Sequence, residues 1–141
     1  MKKKKDFMVG RTVRVPSILT KDPLNKKGCF GVIISSDFNQ NTIQVAFEDG
    51  VNGPYQLDAL EILYTPKAMT YHLNARIREL NQTEVDAIRR IINFATCRDF
   101  KKAFALATIS HVVWEICITD TGTFYSMKKN VRKCLGISKG L

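Results

Sequence analysis

The chain has 141 residues, 45% of them hydrophobic and 25% charged, and its 22 Lys and Arg against 13 Asp and Glu give a formal net charge of +9. That apolar share supports a packed core and excludes a chain too polar to fold. No apolar run reaches the roughly 18 residues of a membrane-spanning helix, and the length suits one domain or two small ones.

Met1-Lys2-Lys3-Lys4-Lys5-Asp6 reads as a lysine-rich mobile tail (1–6), and the Phe7–Arg11 stretch behind it is too short for a signal-peptide core. The expected location is therefore cytoplasmic. Thr12-Val13-Arg14-Val15 alternates as a strand does, and Pro16 ends it. Residues 16–28 form a long loop with Pro23 and Asn25 as turn formers. Gly28 and Gly31 bracket the start of a second strand, running on through Val32-Ile33-Ile34. Ser35–Asn41 reads as a polar hairpin connection, Thr42–Phe47 as the third strand and Glu48-Asp49-Gly50 as its turn. Asn52-Gly53-Pro54 reads as another loop, and Tyr55–Leu57 with Leu60–Leu63 completes a set of short strands of the kind that closes into a small barrel.

The series Gly-x-x-Val-x-Val, Gly-x-x-Gly-Val-Ile, Val-x-Phe-x-Asp-Gly and Asp-x-Leu-Glu-Ile-Leu, over about residues 8–63, resembles the SH3-like barrels of the KOW and Tudor type. The resemblance implies a small β-barrel that contacts RNA, polymerase or modified peptides, as those modules do, since such barrels bind macromolecules far more often than they catalyse.

After Leu63 the punctuation changes. Thr65-Pro66 supplies a helix cap followed by proline at the first helical position. Residues 67–80 then carry both helical spacing (Met69, Leu73, Ile77, Leu80) and strand-like alternation, and the Thr-Pro start favours the helix. Asn81-Gln82-Thr83-Glu84 resembles a capping box. Behind it, Val85, Ile88, Ile91, Ile92 and Ala95 form one apolar face. Asp99 caps a predicted helix from Phe100 to about Ile118, although its β-branched second half, Val112–Ile118, also reads as a strand. Asp120-Thr121-Gly122 breaks the pattern, and Thr123–Leu135 reads as the last helix, stopped by Gly136. The predicted fold class is α+β: an SH3-like barrel (7–64) followed by a basic helical domain (66–136) of three to four helices.

Charge is divided unevenly. Residues 6–65 hold five basic and seven acidic side chains, Lys2–Lys5 adds four charges, and residues 66–141 hold thirteen basic and six acidic ones. A polyanionic partner should therefore meet the tail and the C-terminal half. Lys128, Lys129, Arg132 and Lys133 recur at a spacing that sets all four on one side of the last helix, a phosphate-binding stripe or a solvated end favoured by the helix dipole. Arg89 and Arg90, with Arg76 and Arg78, make a second cluster, with Asp86 and Glu79 near enough to pair with them. A helix-turn-helix is a sharper version, with the Trp114 helix, the Asp120-Thr121-Gly122 turn and a recognition helix presenting Tyr125, Ser126 and Lys129; it places Lys128 at a usually apolar position.

Phe30, Phe38, Phe47 and Tyr55 suit a barrel core better than a ligand cage, with Phe38 set apart in a polar hairpin where it would be a contact residue. Cys29, Cys97, Cys117 and Cys134 are too widely spaced for a zinc site and read as free, mostly buried thiols; no metal or cofactor is expected. His72 and His111 stand alone, and Asp120-Thr121-Gly122 lacks the second carboxylate that aspartic-protease chemistry needs. The expectation is a non-enzymatic nucleic-acid-associated protein, with Lys2, Lys3, Lys4, Lys5, Arg89, Arg90, Lys128, Lys129, Arg132 and Lys133 on RNA or DNA phosphates and the barrel as docking module. The alternative is a protein-interaction adaptor gripping a protein partner through Lys26, Lys27 and Phe38, with the basic half on an acidic protein surface.

Overall fold

Short alternating runs separated by glycine and asparagine turns become strands in the computed structural model, which describes residues 8–19 and 22–127. They are β1 (Thr12–Arg14), β2 (Phe30–Asp37), β3 (Thr42–Phe47), β4 (Asn52–Gln56), β5 (Glu61–Leu63) and β6 (Ile118–Asp120), in the order β4-β3-β2-β1-β5-β6. The β1–β2, β1–β5, β2–β3 and β3–β4 pairings are antiparallel. The fold is thus mixed α and β. The order has two free ends, β4 and β6, so the sheet is not closed into the small barrel expected from the strand pattern.

Asn52-Gly53-Pro54, read as a loop, belongs to β4, with Pro54 opposite Gln44. The reason is position: proline lacks a ladder donor, but an edge strand needs donors on only one side. The polar residues Ser35-Ser36-Asp37 extend β2 past the expected hairpin, beyond a register shift between Ile33 and Ser35. That bulge breaks the in–out alternation and leaves both Ile34 and Ser35 exposed. Asn41, at φ 54, closes the turn in the left-handed conformation that asparagine tolerates.

The chain divides into two compact units: one runs to Ile62 and resumes at Asp120, and the other is Leu63–Thr119. The sequence suggested 7–64 and 66–136. In the first unit Val13, Val15, Ile33, Ile43, Val45, Phe47, Tyr55, Leu60 and Ile62 form the core with Met8 and Phe124. Phe124 comes from residues 121–127, which are helical. Asp120-Thr121-Gly122 is the clasp that starts this helix. Asp120 Oδ2 accepts the Thr123 N–H at 3.0 Å, as an N-cap does. Thr121 is fully buried, its hydroxyl donating to the Leu57 carbonyl and accepting from the Leu60 N–H at 3.4 Å. At Gly122 an added Cβ would stand 2.8 Å from Asp58 Cβ. The triplet is therefore structural, and its last two residues are helical where a break was expected.

The second unit contains α1 (Pro66–Ala75), a 3-10 turn (Ile77–Glu79), α2 (Gln82–Thr96), α3 (Phe100–Ala107) and α4 (His111–Cys117). Thr65 caps α1, accepting the Ala68 N–H at 3.2 Å. This settles 66–75 as helix. The capping box of α2 is complete: Asn81 Oδ1 accepts from the Glu84 N–H at 2.8 Å, and Glu84 Oε1 from the Asn81 N–H at 3.0 Å. Val85, Ile88, Ile91 and Ala95 are buried as their spacing requires. The single helix expected over 100–118 is two helices. Thr108 turns its hydroxyl onto the Ala105 carbonyl, and Ser110 accepts the Val113 N–H at 3.2 Å, capping a new start. The strand reading of 112–118 holds only from Ile118 onward. A strand, not a turn, follows α4, which removes the helix-turn-helix.

Ser110 has a second role: its hydroxyl donates to Glu84 Oε2 at 2.6 Å. That bond, with the Asn81 N–H, holds the Glu84 carboxyl below its usual range. A lowered carboxyl contributes stability that is complete above its unfolded value, near 4.5, and lost as pH falls through the lower folded value. Ser110→Ala is expected to lose about 1 kcal/mol at pH 7 through its cap. The deficit should narrow below about pH 4.5, where wild type also loses the Glu84 contribution. Urea unfolding at pH 7 and pH 3 checks this.

Candidate nucleic-acid interface

The basic surface of the helical unit is built by the way α2 stops. Cys97 is its C-cap, Arg98 has φ 61, the Arg98 N–H reaches the Ala95 carbonyl at 3.1 Å and the Asp99 N–H reaches the Phe94 carbonyl at 2.8 Å. These are the two bonds of a Schellman motif, whose left-handed position usually holds glycine. The left-handed residue turns the chain at once into α3. The corner so formed carries Arg89, Arg90, Arg98, Lys101 and Lys102, all exposed, against Asp86 and Asp99: five cations to two acids, a net +3.

Phe94, half-buried, stands among these charges. Arg90 Cζ lies 5.9 Å from its ring centroid, and so does Lys102 Nζ. Lys102 also pairs with Asp99 at 3.4 Å, an exposed contact of small net value. Asp86 accepts a hydrogen bond from Gln82 at 2.8 Å. The remaining acids of this unit are occupied elsewhere. Arg76 bridges Glu79 at 2.8 Å and Glu115 at 3.2 Å, which raises its own pKa and lowers that of Glu79. The expected pairing of Arg76 with Glu79 is present, whereas Arg89 and Arg90 remain on the solvent side of α2.

Lys2, Lys3, Lys4, Lys5, Lys128, Lys129, Arg132 and Lys133 lie outside the described residues. Among the protein-contact candidates, Lys26 is paired with Asp49, whose carboxyl it holds below the usual range, and sits 5.8 Å from the Phe47 ring centroid. Lys27 is exposed. Phe38 is half-buried and stacked on Tyr125, with centroids 4.0 Å apart, where a solvent-facing contact was expected. Phe47 and Tyr55 are core residues meeting edge to face at 6.2 Å.

The first unit has a groove of about 520 Å³ lined by Leu19, Asp22, Pro23, Thr42, Pro54, Tyr55, Gln56 and Ala59. The Tyr55 hydroxyl donates to Asp22 Oδ1 at 2.5 Å; burial first and then Asp22 raise its pKa, so it remains a donor. His72 lies with Nδ1 3.0 Å from the Ile116 carbonyl oxygen and its ring edge-on to Tyr64. Cys29 and Cys97 are exposed, contrary to the expectation of mostly buried thiols, while Cys117 is buried and its thiol is pushed up to about 12. Among the described residues, no three of His, Cys, Asp and Glu stand together as a metal site, and no helix is long and apolar enough to cross a membrane.

Four members of the corner, Phe94, Arg98, Lys101 and Lys102, escaped sequence reading. Phe94 was legible as the residue four after Arg90, one helical turn on. Lys102 was not, because it arrives from another helix through a left-handed turn at a residue other than glycine. No family model, curated protein or solved structure matches the chain.

Proposed function

We propose that the protein is a non-enzymatic nucleic-acid-associated protein whose helical half contacts phosphates. The observation that carries this reading is the α2–α3 corner, where exposed cations outnumber acids five to two. The described residues of the strand unit are the reverse, four cations to seven acids. A concentrated positive surface attracts polyanions, and a net negative unit does not. Lys2–Lys5 and the Lys128, Lys129, Arg132 and Lys133 stripe would extend the phosphate contacts. The strand unit would serve as docking module, an SH3-like barrel of the KOW or Tudor type with one seam unpaired. A meander of four strands whose fifth returns beside the first supports that assignment. The groove at Tyr55 favours a second reading, an adaptor that holds a protein partner through this unit.

The test is a titration of the whole protein against labelled single-stranded RNA, single-stranded DNA and duplex DNA at about 50 and 200 mM salt, over which phosphate binding weakens steeply. The expected result is binding whose logarithm falls linearly with the logarithm of salt concentration. Absence of binding to all three at the lower salt overturns this proposal and leaves the adaptor to be pursued.

A further inference from the structure

We infer that the α2–α3 corner is a site for single-stranded polynucleotide, with phosphates on Arg90, Arg98 and Lys102 and a base stacked on Phe94. This rests on the nucleic-acid reading and specifies its ligand. Three observations carry it.

The first is the company Phe94 keeps. A half-buried phenyl ring flanked by two cations, each 5.9 Å from its centroid, combines a π-face with phosphate-binding groups. Single-strand sites are made of this pair of elements, because every base has a face to stack and a charge to follow it. In a duplex the base faces are already stacked on each other, so an aromatic ring has nothing to receive. At 5.9 Å both cations stand at the outer limit of a cation–π contact. Their heads are not pressed onto the ring, and reaching a phosphate sacrifices little.

The second is the cost of Arg98. Its φ of 61 is the left-handed conformation that closes α2. Glycine adopts it freely, whereas a residue with a side chain is strained there. Such strain persists where the side chain has a use. Arg98 is exposed, and among the described residues no acid pairs with it, so its charge is directed at solvent. The favourable dipole at a helix C-terminus explains a cation in the last turn, but not one at the left-handed position, where glycine would be the more stable choice.

The third is the neutrality of the rest of the unit. Glu79, Glu115 and Arg76 satisfy one another, and Glu84 is held by Ser110 and Asn81. Outside the corner the unit holds three Lys and Arg (Lys67, Arg76, Arg78) against three acids (Glu79, Glu84, Glu115), so its net positive charge lies at the corner where Phe94 stands.

The experiment uses the full chain and two variants chosen to keep the fold. Phe94→Leu retains the apolar body and removes the stacking face. Arg98→Gly removes the charge and relieves the left-handed strain, so it should fold at least as well as wild type. Binding of a labelled oligo-dT and oligo-U is compared with that of a duplex of the same length across a salt series. Wild type is expected to prefer the single strands. Phe94→Leu should bind them at least about 5-fold more weakly with an unchanged salt slope, because a stacking contact is worth about 1–3 kcal/mol and releases no counterion. Arg98→Gly should lower the magnitude of the slope by about 0.7, one single-strand phosphate contact. Preference for duplex, or Phe94→Leu binding single strands as wild type does, overturns this inference and leaves the broader nucleic-acid reading standing. Failure of wild type to bind any of the probes overturns both.

Discussion

Replacing Arg89 and Arg90 together by glutamate is expected to weaken single-strand binding about 100-fold at low salt, since setting like charges against each other costs several kcal/mol. Both residues are exposed on α2, away from the buried Val85, Ile88, Ile91 and Ala95 face. Glutamate is a good helix former, so the helix survives the exchange. What it loses is small. Asp86, three and four residues before them, becomes a like-charge neighbour at about 0.2–0.5 kcal/mol per pair. The Arg90–Phe94 contact, at 5.9 Å, is worth about 0.5–1 kcal/mol at an exposed site. These sums are well inside the roughly 5–15 kcal/mol by which a domain is stable. An unchanged circular-dichroism spectrum therefore separates lost binding from lost folding. The milder pair, Arg89→Gln with Arg90→Gln, should weaken binding by about tenfold and reduce the salt slope by about 1.4, two phosphate contacts on a single strand. Fluorescence anisotropy across a salt series reads both. If the double reversal binds as wild type does, the corner is not where phosphates bind, and the Lys128, Lys129, Arg132 and Lys133 stripe is the next to neutralise.

The elements that could be read directly from the chain are those whose signal is local. Thr65-Pro66 and the Asn81–Glu84 box specify their own hydrogen bonds within four residues, and both helices start where those bonds put them. Thr42–Phe47 alternates strictly and is β3 end to end. The failures are places where a distant partner decides. Ser110 begins α4 with Glu84, 26 residues away, accepting its hydroxyl, and nothing near Ser110 in the chain announces that bond. Pro54 is permitted in β4 only because that strand lies at a sheet edge, a property of the whole sheet. The same distinction divides the candidate site. Arg89 and Arg90 were found from composition and helical spacing alone. Their grouping with Phe94, Arg98 and Lys102 depends on a left-handed turn at Arg98, where local preference favours glycine and gives no hint of arginine.

Gly31→Ala is expected to destabilise the strand unit by about 3 kcal/mol or more, at the upper end for overpacking a core. Gly31 is buried in β2, paired with Val13 of β1 on one side and Phe47 of β3 on the other. A Cβ built on it would stand 2.5 Å from Val45 Cγ1, 3.0 Å from the Ala46 carbonyl oxygen and 3.0 Å from Phe47 Cε1. None of these can move away easily. Val45 is wholly buried and β-branched, so its rotamer is fixed by the same core it fills. The Ala46 oxygen is backbone in a paired strand. The glycine that opens the second strand is thus accounted for by the close approach of β3. Gly50→Ala separates sterics from backbone strain: its φ is +86, but its Cβ would meet nothing within 4 Å. It should lose only about 1–2 kcal/mol, the left-handed penalty of an L-residue. The only tryptophan, Trp114, belongs to the helical unit, so its fluorescence is the wrong probe. Native-state hydrogen exchange of the β2 and β3 amides reads the strand unit itself, and their opening free energies should fall by these amounts. Were Gly31→Ala to cost no more than Gly50→Ala, the β2–β3 pair would have room to part at Val45. The absence of a side chain at position 31 would then need a reason other than packing.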